Sequence, residues 1–306
     1  VKTALVAIAH GTVDDLDDLP EFLAAIRRGH PAPPPLVAEV RRRYEAIGGK
    51  SPLTAICRDL TRKLEARIGC PVRLAMRLWK PYPKEVLSAL LDEGVERVVV
   101  LPLAQHSAHV YADAVEVAAR ELANEGRPSL AVVRGPNWGR EPALTRAFAR
   151  EIRRALEEIP AHAREATALL LTAHSLPLAA IRGGDPYEAE VRASGEAITT
   201  ELGSLCPNVR VAFQSQGMGG GEWLGPDLKG SLDALAAEGT KHVIVAPIGF
   251  LADHVEILYD LDIEAVGIAK ERGLSLSRTR SLNASEGLLV ALENVARPLL
   301  AEGVAG

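Results

Sequence analysis

Thr3-Ala4-Leu5-Val6-Ala7-Ile8-Ala9-His10-Gly11, near the start of the chain, is echoed by Thr167-Ala168-Leu169-Leu170-Leu171-Thr172-Ala173-His174-Ser175 beyond its middle. Each is an unbroken apolar run of strand length that stops at a histidine. Alternating polarity marks a strand with one wet face, whereas an unbroken run marks a strand covered on both faces, as in a parallel sheet between helices. Further short apolar runs lie at 72–78, 98–103, 130–134, 209–213, 242–247 and 275–278, and stretches of helical period such as 83–93, 112–125, 141–156 and 188–202 fall between them. That alternation predicts α/β architecture with parallel sheets. A second echo sets Val98-Val99-Val100-Leu101-Pro102-Leu103 against Val243-Ile244-Val245-Ala246-Pro247-Ile248, and six residues on both copies carry His-Val, at His109-Val110 and His254-Val255. The chain is therefore read as two doubly wound lobes related by a weak internal duplication. The polar, Pro-marked stretch at 159–166 places the division between 1–158 and 159–306. Ligands of such sheets sit beyond the carboxyl ends of the strands, which directs attention to His10, His174 and the segments after Leu103 and Ile248.

Composition narrows the function classes. Of the 306 residues, 47% are hydrophobic and 25% charged, the balance of a soluble globular protein with a sizeable core. A net charge of −5 argues against a general nucleic-acid binder. Cys57, Cys70 and Cys206 show no close pair spacing, which argues against a disulfide framework and against an iron–sulfur cluster. With neither a leader-like opening nor an apolar run near the roughly 18 residues of a membrane span, the expected location is cytoplasmic.

Several residues have side chains suited to chemistry. His174 ends a fully apolar strand and can exchange a proton near neutral pH. In Asp253-His254-Val255-Glu256-Ile257-Leu258-Tyr259-Asp260-Leu261-Asp262-Ile263-Glu264, a regular helix sets Glu256, Asp260 and Glu264 at i, i+4 and i+8 on one face. Such a row attracts divalent cations, and oxygen with imidazole suits labile Fe(II). The Gly-rich loop Phe213-Gln214-Ser215-Gln216-Gly217-Met218-Gly219-Gly220-Gly221-Glu222-Trp223 lacks phosphate-loop spacing, but its Trp223 and Met218 offer apolar contact to a large flat ligand. Arg27, Arg28, Arg41, Arg42 and Arg43 supply guanidinium forks for carboxylates. Each also has a plain structural reading: a hydrogen-bonded strand-end histidine, a solvated acidic face, a surface loop, solvated helix faces.

Taken together, the ordered segments resemble the ferrochelatase family from about Ala4 to Glu264. His174-Ser175-Leu176-Pro177 with Arg182-Gly183-Gly184-Asp185-Pro186-Tyr187 is similar to the family's catalytic-histidine segment. Trp223-Leu224-Gly225-Pro226 and Asp253-His254-Val255-Glu256-Ile257-Leu258-Tyr259 are similar to two further signatures. The resemblance implies Rossmann-like, chelatase-type lobes and insertion of Fe²⁺ into a porphyrin for haem biosynthesis. Iron would be substrate, with no permanently bound cofactor and no iron–sulfur cluster. It assigns His174 and Glu256 to catalysis and metal, Asp260 and Glu264 to a metal or proton ladder, and His10, Arg27, Arg43, Tyr44, Ser51, Ser215 and Trp223 to the porphyrin. Arg43-Tyr44-Glu45-Ala46-Ile47-Gly48-Gly49 looks closest to the coproporphyrin III enzymes of monoderm type, in which His10 stands at a usual tyrosine. The expected partners are porphyrin and ferrous iron, with transient contact to a membrane surface or another haem-pathway enzyme and none to nucleic acid. The competing readings are a sirohydrochlorin-type cobalt or nickel chelatase and a non-catalytic porphyrin or haem carrier.

Overall fold

A computed structural model describes residues 1–217 and 221–302, apart from the side chain of Glu165. Met218 therefore lies outside the described residues. The chain divides into two compact units. One is Val1–Trp138 with the segment from Asn283 onward; the other is Gly139–Leu282.

The first unit contains β1 (Thr3–Ala9), α1 (Leu19–Ile26), α2 (Pro34–Ala46), α3 (Leu53–Ile68), β2 (Val72–Met76), α4 (Pro83–Asp92), β3 (Arg97–Pro102), α5 (Ala108–Asn124) and β4 (Ala131–Arg134). The second contains α6 (Pro142–Glu157), β5 (Thr167–His174), α7 (Leu178–Arg182), α8 (Tyr187–Leu202), β6 (Asn208–Gln214), α9 (Leu228–Ala237), β7 (His242–Ala246), α10 (Val255–Leu258), α11 (Val266–Glu271) and β8 (Ser275–Arg278). The chain then returns to the first unit as α12 (Glu286–Ala301). All eight expected strands form, with ends shifted by at most two residues.

The two sheets are wound alike, β2-β1-β3-β4 and β6-β5-β7-β8, and every pairing is parallel. The apolar runs sit where two-faced burial demands. Leu5, Val6 and Ile8 in β1, and Leu169, Leu170 and Leu171 in β5, are fully buried. In the first unit Ala4, Val6, Ile8, Val98 and Val100 meet Leu87 and Leu90 of α4 and Val115 of α5. In the second, Ala168, Leu170, Val243 and Val245 meet Leu232 and Leu235 of α9 and the inward residues Ile257, Leu261, Ala265 and Ala269. Each such leucine contributes about 1.5–3 kcal/mol by burial.

The division expected at 158/159 falls instead at 138/139 and 282/283. Two amphipathic helices move it. α6 buries Leu144, Phe148 and Ile152 within the second unit and runs beside α8. α12 buries Leu288, Leu289 and Leu292 and lies against α3 and β3 of the first, tied by hydrogen bonds from Arg67 to Glu286 and Glu293. No helix among the described residues is long and apolar enough to cross a membrane.

Candidate functional site

The second unit sets His174, His254 and Glu256 together at the carboxyl edge of its sheet. β5 runs on to His174, which registers with Gln214 at the end of β6. After β7 the backbone turns back tightly: a Cβ on Gly249 would lie 2.5 Å from that of Ala173, so only glycine lets this loop reach the end of β5. The turn delivers Asp253, His254 and Glu256 to the same edge.

His174 Nδ1 donates a hydrogen bond to the carbonyl of Ser175, which leaves Nε2 facing Glu256 Oε1 at 3.4 Å. His254 does the same from the other side. Its Nδ1 donates to the carbonyl of Ala252 at 3.1 Å, and its Nε2 stands 3.5 Å from Glu256 Oε2. One carboxylate thus lies between two imidazoles. A lone pair on His174 Nε2 would oppose Oε1, so the pair favours a proton there. Burial pulls the His174 pKa down, but the charge of Glu256 and the hydrogen bond to it outweigh burial and hold it above its ordinary value. Glu256 is pushed up by burial and pulled down further by His174 and His254, ending well below the usual carboxylate range. About a third of each side chain, 34% for His174 and 35% for Glu256, remains open to solvent.

The histidine is braced from behind. Tyr187 donates its hydroxyl to the His174 carbonyl at 2.8 Å, and Ser175 Oγ donates to the carbonyl of Leu224 at 2.7 Å. Phe250 sets its ring against both imidazoles, with centroids 6.5 Å from His174 and 5.0 Å from His254. Ser215 adopts a positive φ of 59° and donates its hydroxyl to Asp260 Oδ2. Trp223 is half-buried and bridges to Pro177.

The carboxylate row differs from its expectation. α10 ends at Leu258, and Asp260–Ala265 forms a π-turn, seen in the Glu264 N–H bonded to the Tyr259 carbonyl at 2.9 Å. Leu261, Ala265 and Ala269 take the inward positions. Asp260 is consequently buried against Ser215, while Glu264 is exposed. Among the described residues no three His, Cys, Asp or Glu side chains gather closely enough to cage an ion. Of the four side chains that the resemblance assigned to metal, His174 and Glu256 stand together, Asp260 is buried against Ser215 and Glu264 is exposed. His254 was not among the expected site residues, although the repeated His-Val pair marked its position.

In the first unit His10 is exposed at the end of β1, and Arg27 is exposed at the end of α1. Arg43 donates its Nε–H to Glu39 Oε1 at 2.9 Å. The other two expected porphyrin contacts are buried. Tyr44 is 1% exposed and shares a 2.7 Å hydrogen bond with Thr12; Ser51 is fully buried and accepts the Leu53 N–H at the start of α3. Their polar atoms serve the interior because a buried hydroxyl needs a partner.

Parallel four-stranded sheets of this order, with an imidazole–carboxylate pair at a carboxyl edge, define a chelatase-type α/β protein. Its fold is similar to SirB from Bacillus subtilis with Fe³⁺, with a TM-score of 0.62 at 15% identity over 98% of this chain and 96% of that one. It is also similar to the sirohydrochlorin chelatase SirB from Bacillus subtilis subspecies spizizenii in complex with cobalt, with a TM-score of 0.59 at 14% identity over 98% and 95%. Sequence narrows the class. The ferrochelatase family model matches residues 2–299, and the chain belongs to that family. It is 34% identical to the ferrochelatase of Acidobacterium capsulatum over 97% of this chain and 94% of the relative. It is 31% identical to the coproporphyrin III ferrochelatase of Geobacillus kaustophilus over 96% and 95%.

Proposed function

We propose that this chain inserts ferrous iron into a porphyrin, with His174 and Glu256 as the reacting side chains and coproporphyrin III as the preferred substrate. The observation that carries the reading is the single carboxylate held between two imidazoles at the carboxyl edge of β5, in a chain of this family.

The reaction must remove two pyrrole protons and supply one dication, so charge is conserved on the macrocycle. Glu256 receives Fe²⁺ as substrate, an oxygen ligand suited to a labile hard-to-borderline cation. The dication takes over the charge balance that the proton on His174 Nε2 supplies in the resting pair. His174 gives up that proton to solvent, and its freed lone pair accepts the two pyrrole N–H protons in turn, releasing the first to solvent before it takes the second. The Nδ1–H bond to Ser175 keeps the correct tautomer throughout. Asp260, hydrogen-bonded to Ser215, provides an acceptor for protons leaving the site. His254 orients the second Glu256 oxygen.

The exposed Arg27 and the partly exposed Arg43 support a substrate rich in carboxylates, since a guanidinium fork matches a propionate. Coproporphyrin carries more propionates than protoporphyrin, and relatives bear the coproporphyrin name at 29–32% identity. The reaction is assigned to the cytoplasm.

An anaerobic absorbance assay with Fe²⁺ and each porphyrin tests this. Faster turnover of coproporphyrin III is expected. Turnover of protoporphyrin IX alone overturns the substrate assignment. Tight binding of both without turnover replaces the enzyme by a carrier.

A further inference from the structure

The segment that carries His254, Glu256 and Asp260 is irregular. It consists of the four residues of α10 followed by a π-turn. Ile257 and Leu261 anchor it in the core, and polar contacts at its two ends can set where Glu256 stands within that packing.

Arg278, the last residue of β8, is placed to do so. Its Nε donates to Asp262 Oδ1 at 2.6 Å and its Nη2 to Asp262 Oδ2 at 2.9 Å, a two-pronged pair. Nη1 donates to the Thr279 carbonyl at 3.0 Å and lies 3.3 Å from Asp253 Oδ1. Ser281 reinforces that second arm: it accepts from Nη1 at 3.3 Å and donates to Asp253 Oδ1 at 2.7 Å. The guanidinium is rooted in the sheet, since Arg278 registers with Val245 of β7 and the next residue, Thr279, donates its N–H to the Val245 carbonyl at 2.9 Å. The Arg278 side chain is 14% exposed, so water competes weakly for these bonds. Asp253 and Asp262 bracket the site segment on its two sides. One cation fixed to the sheet therefore holds both ends of the stretch between them.

We propose that Arg278 is a positioning residue for metal capture, a strut that sets the Glu256 carboxylate opposite His174 by tying Asp253 and Asp262 to the end of β8. This rests on the reading that Glu256 receives the metal. A network of this kind is weak evidence for stability, because apolar replacements of buried ion pairs are often tolerated. Its signature is geometric. Lysine keeps the charge but loses the planar fork, so it restores only part of the function.

The test is anaerobic titration with Co²⁺ alone, followed by its absorption bands, on wild type, Arg278→Met, Arg278→Lys and Asp262→Asn, with circular dichroism and a melting curve for each. Arg278→Met should weaken Co²⁺ binding about 10-fold and raise the KM for Fe²⁺ in step, the scale of losing an outer ligand-orienting group. Its kcat and its KM for porphyrin should stay within about 2-fold, and Arg278→Lys should recover part of the loss. Asp262→Asn cuts only the fork and carries the test if Arg278→Met does not fold. Unchanged Co²⁺ affinity in either folded variant, or an equal rise in both KM values, overturns the strut. Wild type that binds Co²⁺ but metallates no porphyrin overturns the proposed function, and the variant affinities still decide the strut. Wild type that binds no Co²⁺ overturns the strut, and iron turnover still decides the proposed function.

Discussion

The sheets of the two units share strand order, direction and the echoed apolar runs, yet after the third strand in chain order the second carries three carboxylates at positions where the first is uncharged. Aligned on the His-Val pairs, Tyr111, Val115 and Ala119 of the first unit stand where Glu256, Asp260 and Glu264 stand in the second. Val115 is fully buried in the apolar cluster of its unit, and α5 runs unbroken from Ala108 to Asn124. The second unit breaks the corresponding helix into α10, a π-turn and α11. π-turns recur at functional sites because the extra residue re-aims side chains without ending the helix. The duplicated scaffold provides a place beyond the strand ends; on the proposed function, local side chains and one irregular turn decide which copy does chemistry there.

Exchanging the strand-end histidines challenges this contrast most severely. His174→Ala should lower the rate of iron insertion by 10²- to 10⁴-fold, the usual contribution of a positioned general base, while porphyrin affinity by fluorescence quenching changes little. His10→Ala should cost less than about 10-fold, because no carboxylate stands at the Glu256 position in its unit. Equal losses would mean that the first unit also supplies a reacting group.

A milder contrast concerns pH. His106, 2% exposed in the loop after β3, is pushed by burial down to about 3. The unfolded chain takes up a proton below about pH 6.5 that the native state refuses, so stability is lost as pH falls through that range, about 2 kcal/mol by pH 5. His174 has the opposite sign. Its value is raised by Glu256 despite burial, so its contribution is present below the ordinary imidazole range and fades as pH rises through the raised value. Glu256, held low, contributes above the ordinary carboxylate range and fades as pH falls through its lowered value. Urea unfolding of His106→Gln across about pH 5–9 should flatten the acid loss and leave the alkaline side alone, and His174→Ala should flatten the alkaline side. A wild-type acid limb in His106→Gln would place the acid-sensitive proton elsewhere.

The strands were legible because burial on both faces leaves an unbroken apolar run, and the histidines were legible because each interrupts one. His174 and Glu256 come together as the sequence signatures implied. Three features were not legible. The boundary between units depends on where the amphipathic faces of α6 and α12 find partners, which periodicity does not name. The hydroxyls of Tyr44 and Ser51 find partners in Thr12 and the Leu53 N–H, pairings that no sequence pattern announces. The i, i+4, i+8 rule presumes a regular helix, and the inward spacing of Leu261, Ala265 and Ala269 carries Glu264 to solvent instead.

That last departure yields the smallest expected effect and the sharpest test of the π-turn. Asp260→Asn removes the charge that accepts the Ser215 hydroxyl at a 6% exposed position, and should lower kcat for iron insertion about 10-fold, as outer-layer changes at metal sites do. Glu264→Gln removes a charge already in water and should change kcat by less than about 2-fold, since exposed charges contribute little. If the turn sorts the row into one working carboxylate and one bystander, the two variants separate in kcat while their KM values for iron stay close. Equal losses would show that Glu264 reaches the reacting centre during turnover. The two units would then differ by a continuous acidic track through the segment, and the irregular turn would be incidental to the chemistry.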